Sequence, residues 1–368
     1  MSGIVRKLSI ACADILLAGA FVIGNYIWEY RMPKKLDALN QQVTVETEGQ
    51  PIPEQTGNVQ GQPVPEQTGN VQGQPVPVQA GNAQGQSVPE QAGNVQEQER
   101  PAEVQPWKEK FRDHFTDAIC VSDSSYSSPD VAVSIEQKTL GEGTDIVTYY
   151  VADIYIAGID CIRTGFAEDT YGIGYREGLE EMSARFNAIA AISGDSYSND
   201  SRMESGTIIR NGIVYRKEST RSDVCVLYYD GRMQTFSPEE FSPDQVIADG
   251  AYQTWIFGPA LLDENGKRKT DASDYNTEDY IRQSHPRTAI GYYEPGHYCM
   301  VLVDGRQEGY SRGMYLEEMS QIFEEMGCRA AYNLDGGHCS LMTFNGQIAN
   351  QPYELSKDIC DCIFIAEP

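Results

Sequence analysis

The sequence predicts an α+β fold: a mixed sheet with hairpins and a few packed helices. It forms a single globular head after an N-terminal transmembrane helix and a disordered repeat stalk. Three observations carry that expectation. β-rich runs are joined repeatedly by Asn-Gly or Asp-Gly pairs, the turn chemistry of two-residue hairpins. Stretches with helical spacing of apolar residues fall between them. The first hundred residues differ sharply in composition from the rest.

Residues 1–35 read as a membrane anchor. Leu8–Trp28 is a run of 21 mostly apolar residues whose one charge is Asp14, and a bilayer-spanning helix takes about 20. Ala18-Gly19-Ala20 lies inside that run, a poor place for leader cleavage, so the segment reads as a signal-anchor. Basic residues flank it on both sides (Arg6 and Lys7; Arg31, Lys34 and Lys35), so charge alone does not orient it. Residues 36–106 read as a stalk. Within them, residues 49–96 repeat a unit of twelve four times, beginning with GQPIPEQTGNVQ. Such a Pro/Gln/Gly tract buries too little apolar surface to offset its ordering entropy. A stalk after an anchor implies a head held outside a membrane at a bacterial cell surface.

Residues 107–368 read as the head. DIVTYYVADIYIAG (145–158) alternates as a long strand, and YREGLEEMSARFNAIAAI (175–192) reads as a helix running into a strand. Asn211-Gly212, Asp230-Gly231 and Asn345-Gly346 each sit between β-rich runs and predict hairpins. YCMVLVDGR (298–306) is a buried strand ending at Asp304-Gly305. MYLEEMSQIFEEMG (314–327) places Leu316, Met319, Phe323 and Met326 on one helix face, with Gly327 as the stop. The strand CRAAYNL follows at once. A strand, a helix and a strand therefore deliver Asp335 to the C-terminal rim of a core strand, immediately before Gly336-Gly337.

Composition excludes some partners. The chain has 28 Lys and Arg against 54 Asp and Glu, a net charge of −26. That balance argues against nucleic acid, whose phosphates need a basic face. Nine cysteines are present but no CxxC pair, so zinc is not expected. The eight in the head are open to disulfides outside a cell, while Cys225 and Cys299 lie in apparent strands where a buried thiol is equally at home.

Four segments, in order and spacing, resemble the phosphodiester glycosidases, a family that includes the enzyme removing N-acetylglucosamine from a sugar–phosphate–sugar linkage and bacterial relatives of the exopolysaccharide-biosynthesis type. They are AISGDSYS (191–198) followed by SGTIIRNG, HPRTAIGY (285–292), VLVDGRQEGYSRGMYLEEMSQIFEEMG (301–327) and NLDGGHCSLMTFNGQIANQP (333–352). The resemblance spans about residues 145–365. Two departures stand out: Ser193 replaces the family's Asn, and His338-Cys339 replace a commoner Gly-Ser.

Cleaving a glycosyl phosphate breaks the anomeric C–O bond with a good leaving group, so a strong general acid is less necessary than a carboxylate near the anomeric carbon. Asp335 fits that role by position, with Asp195 as its acid–base partner. Arg287 suits the phosphate, because a guanidinium grips phosphoryl oxygens bidentately. Gly336 and Gly337 let backbone approach the substrate. His338, Ser340, Asn350, Ser193 and Asp304 complete the expected substrate-binding set. No cofactor is required, although Asp195, Asp304 and Asp335 are hard oxygen donors compatible with calcium.

The expectation is hydrolysis of a glycosyl phosphodiester in a surface or secreted glycan, with a sugar-phosphate substrate, the membrane as partner through the N-terminal helix, and an extracellular head. The alternative is a non-catalytic binding or assembly factor for a phosphate-containing cell-wall polysaccharide, to which the Ser193 departure lends weight.

Overall fold

The computed structural model describes residues 33–44, 106–197, 205–270, 275, 282–354 and 358–368. The α+β expectation is met by two main sheets packed face to face. The larger has seven strands in the order Ala330–Leu334, Arg287–Glu294, His297–Val303, Val147–Ile156, Val131–Leu140, Ser125–Ser127 and Cys120–Val121. The second runs Gln347–Ile348, Met342–Phe344, Ala190–Ser193, Asp361–Ile365 and Ile162–Phe166. All pairings between named strands are antiparallel among the described residues.

The two-residue period of a strand explains the layering. Along Val147–Ile156, Tyr150, Ala152 and Ile154 face the core shared with Ile192, Met342 and Ile363 of the second sheet. The intervening Val147, Tyr149 and Val151 face the opposite way, toward Leu316, Met319 and Phe323 of the helix Leu316–Glu325. The outer face of the second sheet is covered in the same manner. Ala191, Cys362 and Phe364 pack against Leu179 and Met182 of the helix Leu179–Arg185. The order of layers is thus helix, sheet, sheet, helix, with the largest core in the middle. A sheet buried on both faces reads as a nearly unbroken apolar run, as CRAAYNL and YCMVLV do.

Two smaller three-stranded sheets form a flank. One joins Met233–Phe236, Val224–Tyr228 and Ala251–Trp255; the other joins Ile208–Arg210, Ile213–Arg216 and Gln41–Gln42. That last strand was expected in the stalk. Instead, Lys34–Lys35 pair with Gly172–Ile173, Gln41–Gln42 pair with Ile213–Val214, and Val43 is buried beside Phe166, Tyr197 and Ile208. Residues 33–44 are therefore part of the head.

The transmembrane helix, the membrane partner and the membrane-anchored location expected from the sequence are corrected here. Among the described residues no helix is long and apolar enough to cross a membrane. The longest, Leu316–Glu325, has 10 residues and rises about 15 Å, half of a hydrocarbon core of about 30 Å. The segment Leu8–Trp28 and the repeats 49–96 lie outside the described residues. Among the described residues the cysteines of the head are not joined in disulfides, and Cys225 and Cys299 are buried in strands.

Candidate active site

Asp335 stands one residue beyond the fully buried strand Ala330–Leu334 and is itself half-buried. Two contacts fix its backbone: its N–H donates to the Gly194 carbonyl at 3.0 Å, and its carbonyl accepts the Ser193 hydroxyl at 2.6 Å. The chain then has to turn against its neighbour. Gly337 adopts φ +64°, a left-handed conformation suited to glycine, and its N–H donates to the Pro286 carbonyl at 2.9 Å. A Cβ on Gly336 would lie 2.9 Å from that same carbonyl. The two glycines are therefore required by the close approach of the 285–287 segment.

Ser193 is fully buried, and its hydroxyl also lies 3.1 Å from Thr288 Oγ1. It ties the two sheets together behind Asp335 and offers nothing to the surface. Arg287 is buried as well. Its Nε donates to the Met314 carbonyl at 3.0 Å and its Nη2 to the Gln283 carbonyl at 2.5 Å. Burial pushes the guanidinium down to about 10, which leaves it cationic at neutral pH.

Asp304 and Asn350 form a second buried unit on the other side of the loop. Asp304 Oδ1 accepts from Asn350 Nδ2 at 2.7 Å, and Oδ2 accepts from the Tyr310 hydroxyl at 2.9 Å and the Gln351 N–H at 3.0 Å. Burial, only partly offset by these donors, raises the Asp304 carboxyl above its ordinary value. Asn350 Oδ1 in turn accepts the Met342 N–H at 3.0 Å. Asn350 and Asp304 thus shape the return of the chain after the hairpin. Ser340, buried next to this unit, has a hydroxyl oxygen without a hydrogen-bond partner. That Oγ would sit 3.4 Å from a Cβ on Gly336.

Asp195 does not join Asp335 at the surface. It is 1% exposed, and its carboxylate accepts N–H groups from Ser196 at 2.9 Å and Ile256 at 2.7 Å. Arg210 Nη2 lies 3.5 Å from it. Among the described residues no group of three or more His, Cys, Asp or Glu side chains is arranged to hold a metal ion. Asp195 and Asp304, named from the sequence as hard oxygen donors compatible with calcium, belong to separate hydrogen-bonded units.

The rim around Gly337 holds His338, expected from the sequence, together with Arg306, Tyr353 and Glu354, which sequence reasoning did not single out. Arg306 is exposed, at φ +60°, and its Nη1 donates to the Tyr353 hydroxyl at 2.6 Å. Its Nη2 lies 3.3 Å from His285 Nδ1 and would be 3.4 Å from a Cβ on Gly337. His338 pairs through Nδ1 with Glu354, and its ring centroid is 5.2 Å from that of Tyr353. A non-glycine residue in the left-handed region is a strain that often accompanies function. Arg306 was quoted within Val-Asp-Gly-Arg, but its backbone conformation leaves no mark in the sequence.

The whole of this arrangement from Ser193 to Glu354 falls within residues 186–366, which match the family model for phosphodiester glycosidases. These residues belong to the phosphodiester glycosidase family. Its fold is similar to that of the catalytic domain of zebrafish N-acetylglucosamine-1-phosphodiester alpha-N-acetylglucosaminidase, auto-inhibited by its pro-peptide. The TM-score is 0.54 at 18% identity, over 68% of this chain and 88% of that one. In Bacillus subtilis strain 168, the SPbeta prophage-derived uncharacterized protein YomE is 27% identical over 203 residues, 54% of this chain and 31% of the relative. The chain therefore spans about a third of that relative's length.

Proposed function

We propose that the chain hydrolyses a sugar-1-phospho-sugar type linkage in a phosphate-bearing glycan. The observation that carries this reading is Asp335: a half-buried carboxylate at a strand end, with backbone fixed on both sides, next to two glycines and an exposed arginine. In this reading Asp335 meets the anomeric carbon, as nucleophile or as the base that activates water. Arg306 binds the phosphoryl oxygens from the rim, and buried Arg287 adds fixed positive charge behind the Pro286–Arg287 segment. Gly336 and Gly337 give the substrate access to backbone. The unpartnered Ser340 hydroxyl offers a hydrogen bond to a sugar or phosphate oxygen. His338 with Glu354, and Tyr353, border the position of the second sugar.

Asp195 is assigned a supporting rather than an acid–base role, since N–H groups already occupy both of its oxygens. Phosphate leaves without a strong general acid, so one surface carboxylate suffices for this chemistry. The burial of Asp195 also favours a second reading, in which the site binds a phosphate-bearing polysaccharide without cleaving it.

One experiment separates the two. The full-length chain and Asp335→Asn are incubated with a synthetic GlcNAc-phosphate-mannose diester and a UDP-sugar panel, and free sugar is followed by mass spectrometry. Release by the native chain alone supports the hydrolase and the role of Asp335. Binding of a phosphate-bearing glycan by both proteins, with release by neither, transfers the site to the binding reading.

A further inference from the structure

Two buried acids and one buried arginine lie directly behind Asp335. Arg210 closes the strand Ile208–Arg210, and Asp361 opens the strand Asp361–Ile365. With Asp195 they form a cluster in which no side chain is more than 1% exposed. Arg210 Nε and Nη2 both donate to Asp361 Oδ2, at 3.0 and 2.7 Å, while Nη1 donates to the carbonyls of Ile209 and Thr254. The other oxygen, Asp361 Oδ1, accepts the Asp195 N–H at 2.6 Å.

Gly194 is the link from this cluster to the rim. Its N–H donates to the Asp361 carbonyl at 3.1 Å, and its own carbonyl receives the Asp335 N–H at 3.0 Å. A Cβ at Gly194 would lie 2.6 Å from Asp361 Oδ1, so only glycine allows this approach. The Gly194–Asp195 peptide is therefore held from its inner side by Asp361 and holds Asp335 on its outer side. Two acids against one arginine is a poor device for stability, because desolvation of buried charge commonly outweighs the pairing. It is a good device for fixing one peptide in one orientation.

We infer that Asp361 and Arg210 are positioning residues for Asp335, acting through the Gly194–Asp195 peptide. The inference rests on the reading of Asp335 given under Proposed function. The carboxylate at the rim is oriented from within the core, by a charge cluster that no substrate touches.

The test uses the full-length chain, Asp361→Asn and Arg210→Lys, each checked first for a cooperative melt. Two quantities are then read. Hydrogen exchange at the Asp335 amide reports whether its bond to Gly194 persists, with the amides of Ala330–Leu334 as the internal reference. Turnover of a glycosyl phosphodiester reports kcat and KM separately. Asp361→Asn is expected to accelerate exchange at Asp335 selectively, and to lower kcat by on the order of 10²-fold, the scale of a misplaced reacting group, with KM little changed. Unchanged exchange at Asp335 in a folded Asp361→Asn chain overturns the inference. So does a uniform loss of protection across the strand. If Asp361→Asn does not fold, Arg210→Lys keeps the positive charge but gives up the two-pronged grip, and the same readings decide. Failure of both to fold overturns the inference in favour of a purely structural cluster. If the native chain turns over no glycosyl phosphate, the exchange measurement still decides the link, and only the reading of Asp335 as the reacting acid falls.

Discussion

Asp195 and Asp335 look alike in the sequence: each is an acid just beyond a β-rich run with glycine as neighbour. Folded, they have opposite fates. Asp335 ends its strand at the rim and is half-buried, whereas Asp195 is 1% exposed with N–H groups on both carboxylate oxygens. Beside Asp195 in the core stands a third residue, Arg210, whose Nη2 lies 3.5 Å from its carboxylate. A carboxylate enclosed in the core by donors and an arginine is closed to a substrate, whereas a half-buried one at a rim lies within reach of solvent. Asp195 is thus enclosed by the core, and Asp335, at the rim, is the acid that the proposed function puts to work.

The most direct way to break that comparison is to neutralise the rim acid. Asp335→Asn is expected to lower turnover by on the order of 10²–10⁴-fold while leaving the denaturant midpoint close to wild type. A large stability loss with activity retained would reverse the assignment. Removing the arginine attacks the other member. Arg210→Met leaves Asp195 and Asp361 buried without their cation, and is expected to destabilise the chain by about 3–5 kcal/mol, measured by chemical denaturation. A neutral result would mean that backbone N–H groups suffice to hold both acids.

Titration sharpens the contrast further. Burial raises the Asp361 carboxyl from 3.8 to about 6, despite the opposing effect of Arg210. Between those values the folded chain holds a proton that the unfolded chain has lost. The contribution is therefore fully present below pH 3.8 and lost as pH rises through 6. The Tm of wild type minus that of Asp361→Asn should fall across this window. A flat difference would show Asp361 ionised throughout. The smallest expected effect belongs to the loop. Gly337→Ala forces a side chain into φ +64° and places its Cβ 3.4 Å from Arg306 Nη2. A stability loss of about 1–2 kcal/mol is expected, together with a raised KM for the phosphodiester. An unchanged KM would take Arg306 out of substrate binding.

Much of the fold was legible because its signals are local. Asn211-Gly212 and Asn345-Gly346 adopt the positive φ values that a two-residue hairpin turn demands. Leu316, Met319 and Phe323 are fully buried on one face of their helix, and Gly327 ends it at φ +80°. The rim position of Asp335 followed from the same strand-helix-strand pattern. What escaped is non-local. Arg210 and Asp361 meet across 151 residues of chain, and no spacing rule ties one to the other. Nothing in the sequence around Asp195 announces that pair, whose Arg210 lies 3.5 Å from the Asp195 carboxylate. Ser193 was expected among the substrate-binding residues and is fully buried, since an alternating pattern cannot tell which face of a doubly buried sheet points to substrate. The pairing of Gln41–Gln42 with Ile213–Val214 was missed because a short polar strand carries no periodic signal.

That last pairing bears on how the head could be divided. Residues 33–44 contribute two strands and the buried Val43 to a body otherwise built from residue 106 onward. The head is thus a complex of two sequence-distant pieces that happen to share one covalent chain. A single cut in the connecting residues would leave the smaller piece seated by strand pairing and burial alone. The same geometry makes 33–44 a natural peptide for fragment complementation, added back in trans to a head that lacks it.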